Sequence, residues 1–494
     1  MFRKIKGFFK GVLQRMGLVK NIKNMSELKQ IPDNDEFYKL IDKWKAIYQG
    51  FFSEWHDVMY TTINGSQKRK MATLGMAKVV SQEMASLIFN ERCEINISDE
   101  GLKKNIDNIL EENKFVKRFQ DYLEFQFALG GMVIKPYFGD GRIKLSYVTA
   151  DCFIPISWDN QGIREAVFPN EIRKGKKKYT HLEWHLWEGE EYVIKNELFV
   201  TEHGSDLGKQ IPLSTLFPDL EEEVRIKAFK RSNFVYFKPN IANNIDMHSP
   251  LGIPLYANAL DTLKTIDIAF DSFQREFRLG KRRIIVPATA VKTVFDENGV
   301  PHRYFDADDE IYQAMGSGNM DELKIHDSTV ELRVEEHIAA INALLNLLAS
   351  QTGFSSGAFS FDGQSVKTAT EVVSENSKTF KSKQSHENVI EAGLTELIEV
   401  IVQTAELYEL FNRPDEGWEV TVTFDDSIAE DQTAEINKQV QLVSNKLTSR
   451  KKAIMKIHGL SANEAEQLMK EISEEGQTAT AEAIDFFGMS RVDV

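Results

Sequence analysis

Cysteine is nearly absent from this sequence, since Cys93 and Cys152 are the only two among 494 residues. They form no CxxC motif and supply too few ligands for a zinc site, so we expect a reducing compartment and no zinc. Long apolar runs are also absent. No stretch of about 18 apolar residues occurs, and we therefore predict no membrane-spanning segment. Apolar residues nevertheless make up 42% of the chain, which excludes a mainly disordered or fibrous protein.

Net positive charge is lacking as well. The chain has 60 Lys and Arg against 75 Asp and Glu, which gives a formal net charge of −15. Proteins that hold nucleic acid release counterions by concentrating positive charge against the phosphates. Tight coating of DNA is therefore not expected, whereas passing contact with DNA is compatible with the composition.

The first 36 residues form a basic tail. Within residues 1–20, basic side chains alternate with apolar ones at Arg3, Lys4, Lys6, Lys10 and Arg15. The pattern fits an amphipathic helix on a membrane surface or on a partner, but it lacks the apolar core of a signal peptide. We favour a mobile or partner-bound tail over an address function.

The first half of the chain changes from helical to β patterning, and the total length suggests about three domains. The aromatic-rich residues 34–60 and the segments 71–90 and 115–129 are predicted as helices, the last ending at Gly130-Gly131. From residue 133 to 200, short apolar runs separated by Gly- and Asp-containing turns predict antiparallel hairpins. This half indicates an α+β fold.

Long helices dominate the second half. Apolar residues three, four or seven apart predict an amphipathic helix over 255–279 that ends at Gly280, and 330–351 repeats the pattern. A compact β-like insert separates the two. After a loop rich in Gly, Ser and Phe at 353–367, the absence of proline predicts a helix of about forty residues over 368–410. Average helices have about 11–12 residues, so this length needs an external reason. A strand at 418–424 and a helical segment from about residue 428 complete the prediction.

Two enzyme-like signatures fail on their context. Residues 353–357 match GxSxG, but a nucleophile elbow at Ser355 needs a strand before it and a helix directly after it. Here a helix precedes and a long loop follows. Residues 204–210 resemble a phosphate-binding loop, yet three residues separate the glycines instead of four, and Gln210 replaces the required Ser or Thr.

Metal-ligand patterns are weak too. His181 and His185 share one face of a predicted strand about 13 Å apart, and we interpret them as solvent-facing. The insert contains an acidic run without EF-hand spacing, formed by Asp306, Asp308, Asp309 and Glu310. A solvated acidic loop is favoured there over a divalent-ion site. We predict no catalytic residue, no cofactor and no metal.

The order of the segments is more distinctive than any single motif. An α/β body leads to a long helix, a compact insert, a second long helix, a Gly/Ser/Phe loop, a very long helix and a helical tail. The local sequence Val366-Lys367-Thr368-Ala369-Thr370-Glu371-Val372 is similar to the segment that opens the long wing helix of one family. From about residue 37 to 475, the chain resembles the portal proteins of tailed bacteriophages with long non-contractile tails.

The resemblance implies a portal-type fold with named parts. Residues 37–254 correspond to an α/β wing that is completed by 368–424. The two stem helices are 255–280 and 330–352, and a small β-containing clip lies between them at 281–329. Residues 353–367 are the tunnel loop, and 427–494 form a helical crown.

The resemblance also implies function and partners. Portal proteins of this family form rings, here of twelve subunits, at one capsid vertex. Double-stranded DNA is pumped in and later released through the channel of the ring. The implied partners are the terminase large subunit, which docks on the clip, the major capsid and scaffolding proteins, and a head-completion or adaptor protein. The implied location is the virion, with assembly in the host cytoplasm.

The candidate functional residues follow from these parts. The tunnel loop contributes Phe354, Phe359, Phe361, Asp362 and Lys367, whose aromatic members we expect to be exposed to DNA. The polar face of the first stem helix contributes Lys264, Asp267, Asp271 and Arg275. A stem helix of about 38 Å faces some two dozen phosphates, and such mixed charges favour sliding over binding. The acidic residues 306–310 are the expected terminase contact.

Two other functions are compatible with the sequence. One is a head, neck or adaptor component of the virion that conducts no DNA. The other is a hydrolase or nuclease that acts through Ser355 or through the acidic loop. Particle mass and the presence of a central hole distinguish these functions from a portal ring.

Overall fold

The computed structural model describes residues 35–62, 65–201, 207–280, 331–361, 369–414, 417–424 and 432–458, with short pieces between 284 and 327 and between 465 and 472. These residues form a mixture of helices and antiparallel sheets, which agrees with the predicted α+β class. None of the described helices is long and apolar enough to cross a membrane. Both cysteines are buried and unbridged.

The helices, in chain order, are α1 (Asp35–Tyr48), α2 (Ser53–His56), α3 (Met76–Ile88), α4 (Glu100–Glu112), α5 (Phe115–Leu129), α6 (Leu260–Leu279), α7 (Val334–Gln351), α8 (Ala369–Leu407), α9 (Gln432–Ser444) and α10 (Arg450–His458). The strands are β1 (Asp57–Thr62), β2 (Gly65–Lys70), β3 (Glu94–Ile97), β4 (Met132–Gly139), β5 (Arg142–Thr149), β6 (Ile154–Trp158), β7 (Ile163–Lys174), β8 (Lys177–Glu188), β9 (Glu191–Thr201), β10 (Lys209–Ile211), β11 (Glu223–Ile226), β12 (Val235–Phe237), β13 (Ile284–Ile285), β14 (Lys292–Phe295), β15 (Pro301–Tyr304), β16 (His326–Asp327) and β17 (Val420–Thr423).

The larger sheets are built from hairpins, as the turn pattern predicts. One sheet has the order β10-β9-β8-β7-β6, with β11 also pairing with β9. A three-stranded sheet has the order β12-β4-β5, and β17 returns from the far end of the chain to pair with β3. Each of these pairings is antiparallel. The β3–β17 pairing ties the late part of the chain to the early part.

Helix α5 is a central element of the core. Its residues Phe115, Phe119, Leu123 and Phe127 recur every four positions and are all buried, as expected for one face of a helix. The helix ends where Gly130 adopts φ 88°, and a Cβ at this position would lie 2.4 Å from the carbonyl oxygen of Gly252. Only glycine fits there, so the predicted helix end is also a point of close backbone approach.

Helix α8 confirms the prediction of a very long helix, since it runs for 39 residues. Its second half buries Leu394, Leu397 and Ile401 and packs against β4, β12, β17 and α3. At Gly393, a Cβ would lie 2.5 Å from the ring of Phe237, so the glycine lets the helix approach the sheet. The length of α8 is therefore explained by its position, because the helix lies across the rest of the body and closes its core.

Helices α6 and α7 pack on each other as an antiparallel hairpin. The guanidinium of Arg333, just before α7, donates to the carboxylate of Glu276 near the end of α6 at 2.9 and 3.1 Å. The ring of Phe273 contacts that of His337 close by. We call this pair of helices the helical hairpin. We call residues 35–259 together with α8 the body.

Three helix boundaries differ from the prediction. Residues 57–60 begin the β1–β2 hairpin and are not helical, because every residue of 57–62 pairs with 65–70. Helix α3 starts at Met76 and not at residue 71, after Gly75 in a left-handed conformation. Residues 257–259 form a separate 3-10 turn after Pro254, so α6 starts five residues later than the predicted 255.

Candidate functional site

The helical hairpin buries one side and exposes the other. Leu263 and Ile266 of α6, and Ile341, Leu345 and Leu348 of α7, belong to the main core. Large apolar side chains remain exposed elsewhere on the same two helices, namely Ile268 (43%), Phe277 (46%), Leu279 (56%) and Leu347 (48%). These exposed apolar residues on two adjacent helices are candidates for contact with another molecule.

Asp267 and Asp271 do not lie on an open polar face, which corrects the prediction. Both are only 7% exposed. Asp267 accepts hydrogen bonds from the Thr73 hydroxyl and the Leu74 amide, both at 2.9 Å, and its other oxygen lies 3.2 Å from Nε2 of His56. The helical periodicity is correct, but the segment 56–74 covers this part of the polar face.

Asp271 forms the strongest of these contacts. The guanidinium of Arg69, on β2, donates to both of its carboxylate oxygens at 2.7 and 2.6 Å, and the Ala72 amide donates at 3.1 Å. The hydrogen bond from Arg69 holds the pKa of Asp271 below its ordinary value. These two carboxylates therefore fasten α6 to the β1–β2 hairpin. Sequence reasoning did not identify the partners His56 and Arg69, because they are about 200 residues away in the chain.

Lys264 and Arg275, the cationic members of the predicted set, are exposed. They lie on α6, as do the two buried aspartates. Of the four predicted residues, the two that remain exposed are therefore the cations.

Phe354 and Phe359 are buried, which corrects the expectation of exposed aromatic residues. Their rings contact each other at 4.9 Å. Phe361 is half-buried against Phe270 and Phe273 of α6. The physical reason is that the loop folds back onto the helices before and after it, so that its phenylalanines fill core positions.

The backbone of this loop is also held by α7. The Gly357 amide donates to Oδ1 of Asn346 at 2.7 Å, and the Phe361 amide donates to Oδ1 of Asn342 at 2.8 Å. Residues 353–361 are thus a packed turn. The two charged members of the predicted set, Asp362 and Lys367, lie outside the described residues.

Ser355 has the environment of a structural residue. Its hydroxyl accepts hydrogen bonds from the amide and the hydroxyl of Thr379 on α8, both at 3.1 Å, and its own amide donates to that hydroxyl at 2.8 Å. Helix α7 precedes it where a nucleophile elbow would have a strand. This reciprocal pair ties the loop to α8.

His181 and His185 are buried, so the expectation that they face solvent is wrong. His181 lies 3.0 Å from Oδ1 of Asn196, and the two ring nitrogens of His185 lie 2.6 Å from the Tyr192 hydroxyl and 2.8 Å from Glu183. Burial lowers the pKa of both imidazoles. The ring of His181 contacts that of Phe217, and the ring of His185 contacts that of Phe234. Other segments therefore cover this face of the strand, which strand alternation by itself could not show.

No cluster of metal-ligating side chains occurs among the residues that the structure describes. The acidic residues Asp306, Asp308, Asp309 and Glu310 lie outside them, as do residues 1–34 of the basic tail. In the described pieces of the insert, two short antiparallel pairs are present, β13 with β16 and β14 with β15. This agrees with the prediction of a compact β-like insert between the two long helices.

Comparison with known protein families identifies the chain as a structural protein of phages. The model of one family, described as phage portal protein, SPP1 Gp6-like, matches residues 28–478. The chain belongs to this family of phage portal proteins, which are structural components of the virion that take part in genome packaging. The family implies a ring oligomer at a capsid vertex that interacts with capsid and terminase. A comparison with curated proteins gave no match.

Proposed function

We propose that this chain is the subunit of a ring whose central channel carries double-stranded DNA during packaging and later ejection. The observation that carries the proposal is the helical hairpin with its exposed apolar residues. A single chain leaves Phe277, Leu279 and Leu347 in contact with water, and neighbouring copies of the same hairpin would cover them. A closed ring provides such a neighbour for every subunit.

The fold supports an assignment of portal parts to the chain. The body corresponds to a wing of residues 37–254, completed by 368–424, because α8 and β17 pack into it. The helices α6 and α7 correspond to stem helices within 255–280 and 330–352. Residues 281–329 are the proposed clip, 353–367 the proposed tunnel loop, and 427–494 the proposed crown.

The channel contacts follow from the corrected positions of the charged residues. We assign Lys264 and Arg275, which are exposed on α6, to the stem surface that passing DNA meets. The remaining tunnel-loop contact is assigned to Asp362 and Lys367, since Phe354 and Phe359 fill the core. The cations of α6 are few for a helix of about 30 Å that faces some 18 phosphates, which suits sliding rather than tight binding.

The proposed partners are those of a packaging vertex. The acidic run 306–310 in the clip suits a basic surface of the terminase large subunit. The wing faces the major capsid and scaffolding proteins, and a head-completion or adaptor protein joins the ring to the tail. Twelve subunits, assembly in the host cytoplasm and the absence of an enzymatic activity of its own complete the proposal.

Particle mass and negative-stain images of the purified protein test the proposal. We expect a mass near twelve chains and a central hole in each particle. The double variant Phe277→Asp with Leu347→Asp should yield single chains, because two buried charges would be placed in the ring contact. Val116→Asp on α5 is the matched control, since Val116 is also exposed, and it should leave rings intact.

Two results would contradict the proposal. Rings that survive the double variant would show that the hairpin is not the subunit contact. Particles of the expected mass without a hole would indicate a head or neck adaptor that conducts no DNA.

A further inference from the structure

A cationic cleft lies on the body, where the end of α4, the start of α5 and strand β5 meet. Its volume is about 300 Å³, and four cationic side chains line it, Lys114, Arg118, Arg142 and Lys144. Glu112 lines it as well. The chain as a whole has a net charge of −15, so this local excess of positive charge opposes the average of the protein. Neither the helical hairpin nor the tunnel loop contributes to it.

The walls of the cleft are fixed by Asn113. Its side-chain amide donates to the carbonyl oxygens of Ile109 and Ile143 at 2.7 and 3.0 Å, and its Oδ1 accepts from the Leu145 amide at 2.9 Å. One side chain therefore joins the C-terminal end of α4 to β5. Sites whose groups are held in place before a ligand arrives lose less entropy when it binds.

The cations differ in how they are already paired. Arg142 lies 3.2 Å from Glu112, and Lys144 lies 2.5 Å from Asp140. These ion pairs hold two of the four side chains at the rim. Within the described part of the chain, Lys114 and Arg118 form no ion pair, although both line the cleft. Their charge is available to a ligand.

Tyr147 supplies the second, independent observation. It lines the cleft and is only 6% exposed, and among the described residues its hydroxyl has no hydrogen-bond partner. Burial raises the pKa of this phenol, so the hydroxyl keeps its proton and can donate at neutral pH. A buried hydroxyl without a partner is costly, and a bound acceptor oxygen would remove that cost.

We propose that this cleft binds a phosphate group, with Arg118 and Lys114 neutralising its charge and the Tyr147 hydroxyl donating to one of its oxygens. Guanidinium groups pair with phosphate through two parallel hydrogen bonds. Phosphate offers more acceptor oxygens and more charge than carboxylate, which matches a site that has, among the described residues, two cations outside ion pairs and one neutral donor. The phosphate belongs either to the free ion or to a nucleic-acid backbone.

Equilibrium dialysis of the full chain with inorganic phosphate tests the proposal, with chloride as the only other anion. We expect saturable binding to the wild type, a dissociation constant about tenfold higher for Arg118→Gln, and one several-fold higher for Tyr147→Phe. Arg164→Gln is the matched control, because Arg164 is an exposed arginine that does not line the cleft. It should bind phosphate as the wild type does.

The variants also report on folding. Arg118 is exposed, so its replacement should leave the unfolding temperature unchanged. Tyr147→Phe should leave that temperature unchanged or raise it, because it removes an unpartnered buried hydroxyl. Weaker phosphate binding together with unchanged or higher stability is a combination that a purely structural role of Tyr147 does not produce.

A fluorescent DNA duplex of about 20 base pairs distinguishes the two sources of phosphate. Binding of the duplex that Arg118→Gln weakens assigns the site to a nucleic-acid backbone, and binding of inorganic phosphate alone assigns it to the free ion. The proposal is overturned if the wild type binds neither probe. It is also overturned if acetate competes as strongly as phosphate, or if Tyr147→Phe and Arg118→Gln both bind like the wild type.

Discussion

The body and the helical hairpin treat their apolar residues differently. In the body, Trp44, Phe119 and Ile134 are completely buried within one chain, whereas the hairpin leaves Phe277 and Leu347 about half exposed. A single chain therefore covers these residues of the body, in a core that also includes Leu263 and Ile341 of the hairpin. We propose that other subunits of a portal ring cover the exposed side chains of the hairpin.

The charged residues show the same division. On the side of α6 that faces the body, Asp267 and Asp271 are buried and fully engaged, while Lys264 and Arg275 are exposed on the remaining surface. One side of α6 is thus hydrogen-bonded to the body, and its other side is exposed. The difference supports the proposal that the open side of the hairpin contacts other molecules.

The largest expected effect is the removal of a core aromatic from the body. Phe119→Ala should lower the free energy of unfolding by about 3–5 kcal/mol, because it opens a cavity among Phe89, Phe115 and Phe237. Phe277→Ala should cost less than about 1 kcal/mol in the dilute single chain, because that ring is half exposed. Urea unfolding at two protein concentrations measures both.

Concentration separates the two variants further. The effect of Phe277→Ala should grow with protein concentration, since ring formation stabilises the folded chain by mass action. The effect of Phe119→Ala on the dilute chain should be present at every concentration. If both variants cost the same in the dilute chain, the hairpin has a complete core of its own and the comparison fails.

The next effect is a pH dependence at the contact between α8 and the rest of the body. Burial lowers the pKa of His386 to about 4, whereas an unfolded histidine has a pKa near 6.5. Below pH ~6.5 the unfolded chain binds a proton that the folded chain does not, so stability falls as the pH drops from about 6.5 to 4. His386 should account for about 2–3 kcal/mol of that loss.

The variant His386→Asn tests this assignment. Its amide oxygen can accept the hydrogen bond that Nδ1 of His386 now accepts from the Asn240 amide at 3.0 Å. Thermal unfolding between pH 4 and 7 should show a shallower loss for the variant. His248→Asn, at an exposed histidine, is the control. An unchanged slope in His386→Asn would mean that the pKa of this histidine is the same in the folded and unfolded chain.

A smaller effect is expected where the hairpin is anchored to the body. Asp271→Asn removes the charge from the paired hydrogen bonds with Arg69 and should cost about 2 kcal/mol at pH 7. The pKa of Asp271 is lowered in the folded state, so this contribution is present above the unfolded value of about 3.9 and disappears as the pH falls through the folded value.

Urea unfolding at pH 7 and pH 3 measures the difference in the free energy of unfolding between wild type and Asp271→Asn. This difference should be smaller at pH 3. Asp107→Asn, at an exposed position of α4, should have almost no effect at either pH. A gap that is equally large at both pH values would show that the carboxylate charge does not contribute.

The smallest stability effect is expected on the open side of α6. Lys264→Gln and Arg275→Gln should each change the free energy of unfolding by less than about 0.5 kcal/mol, because both side chains are exposed. They should also leave the particle mass unchanged. The amount of DNA retained in filled capsids is the measurement in which we expect them to differ from wild type. A loss of rings would instead place these cations in the subunit contact.

The hydrophobic periodicity of the sequence predicted most of the helices and strands. The proline-free segment 368–410 predicted α8, and the stop at Gly130 and the hairpin turns between 133 and 200 agree with the structure. The order of these elements indicated a portal protein, which the family match confirms. These features are local, because the side-chain period of a helix or a strand depends only on nearby residues.

The sequence by itself thus determined the elements, their order and the family of this protein. Only the tertiary structure decided which faces are covered. It buried Phe354 and Phe359 under α7 and α8, placed Asp267 and Asp271 against residues 56–74, and enclosed His181 and His185 within the body. Periodicity specifies that a helix or strand has two faces, but burial depends on contacts between segments far apart in the chain, and those contacts form only in the folded protein.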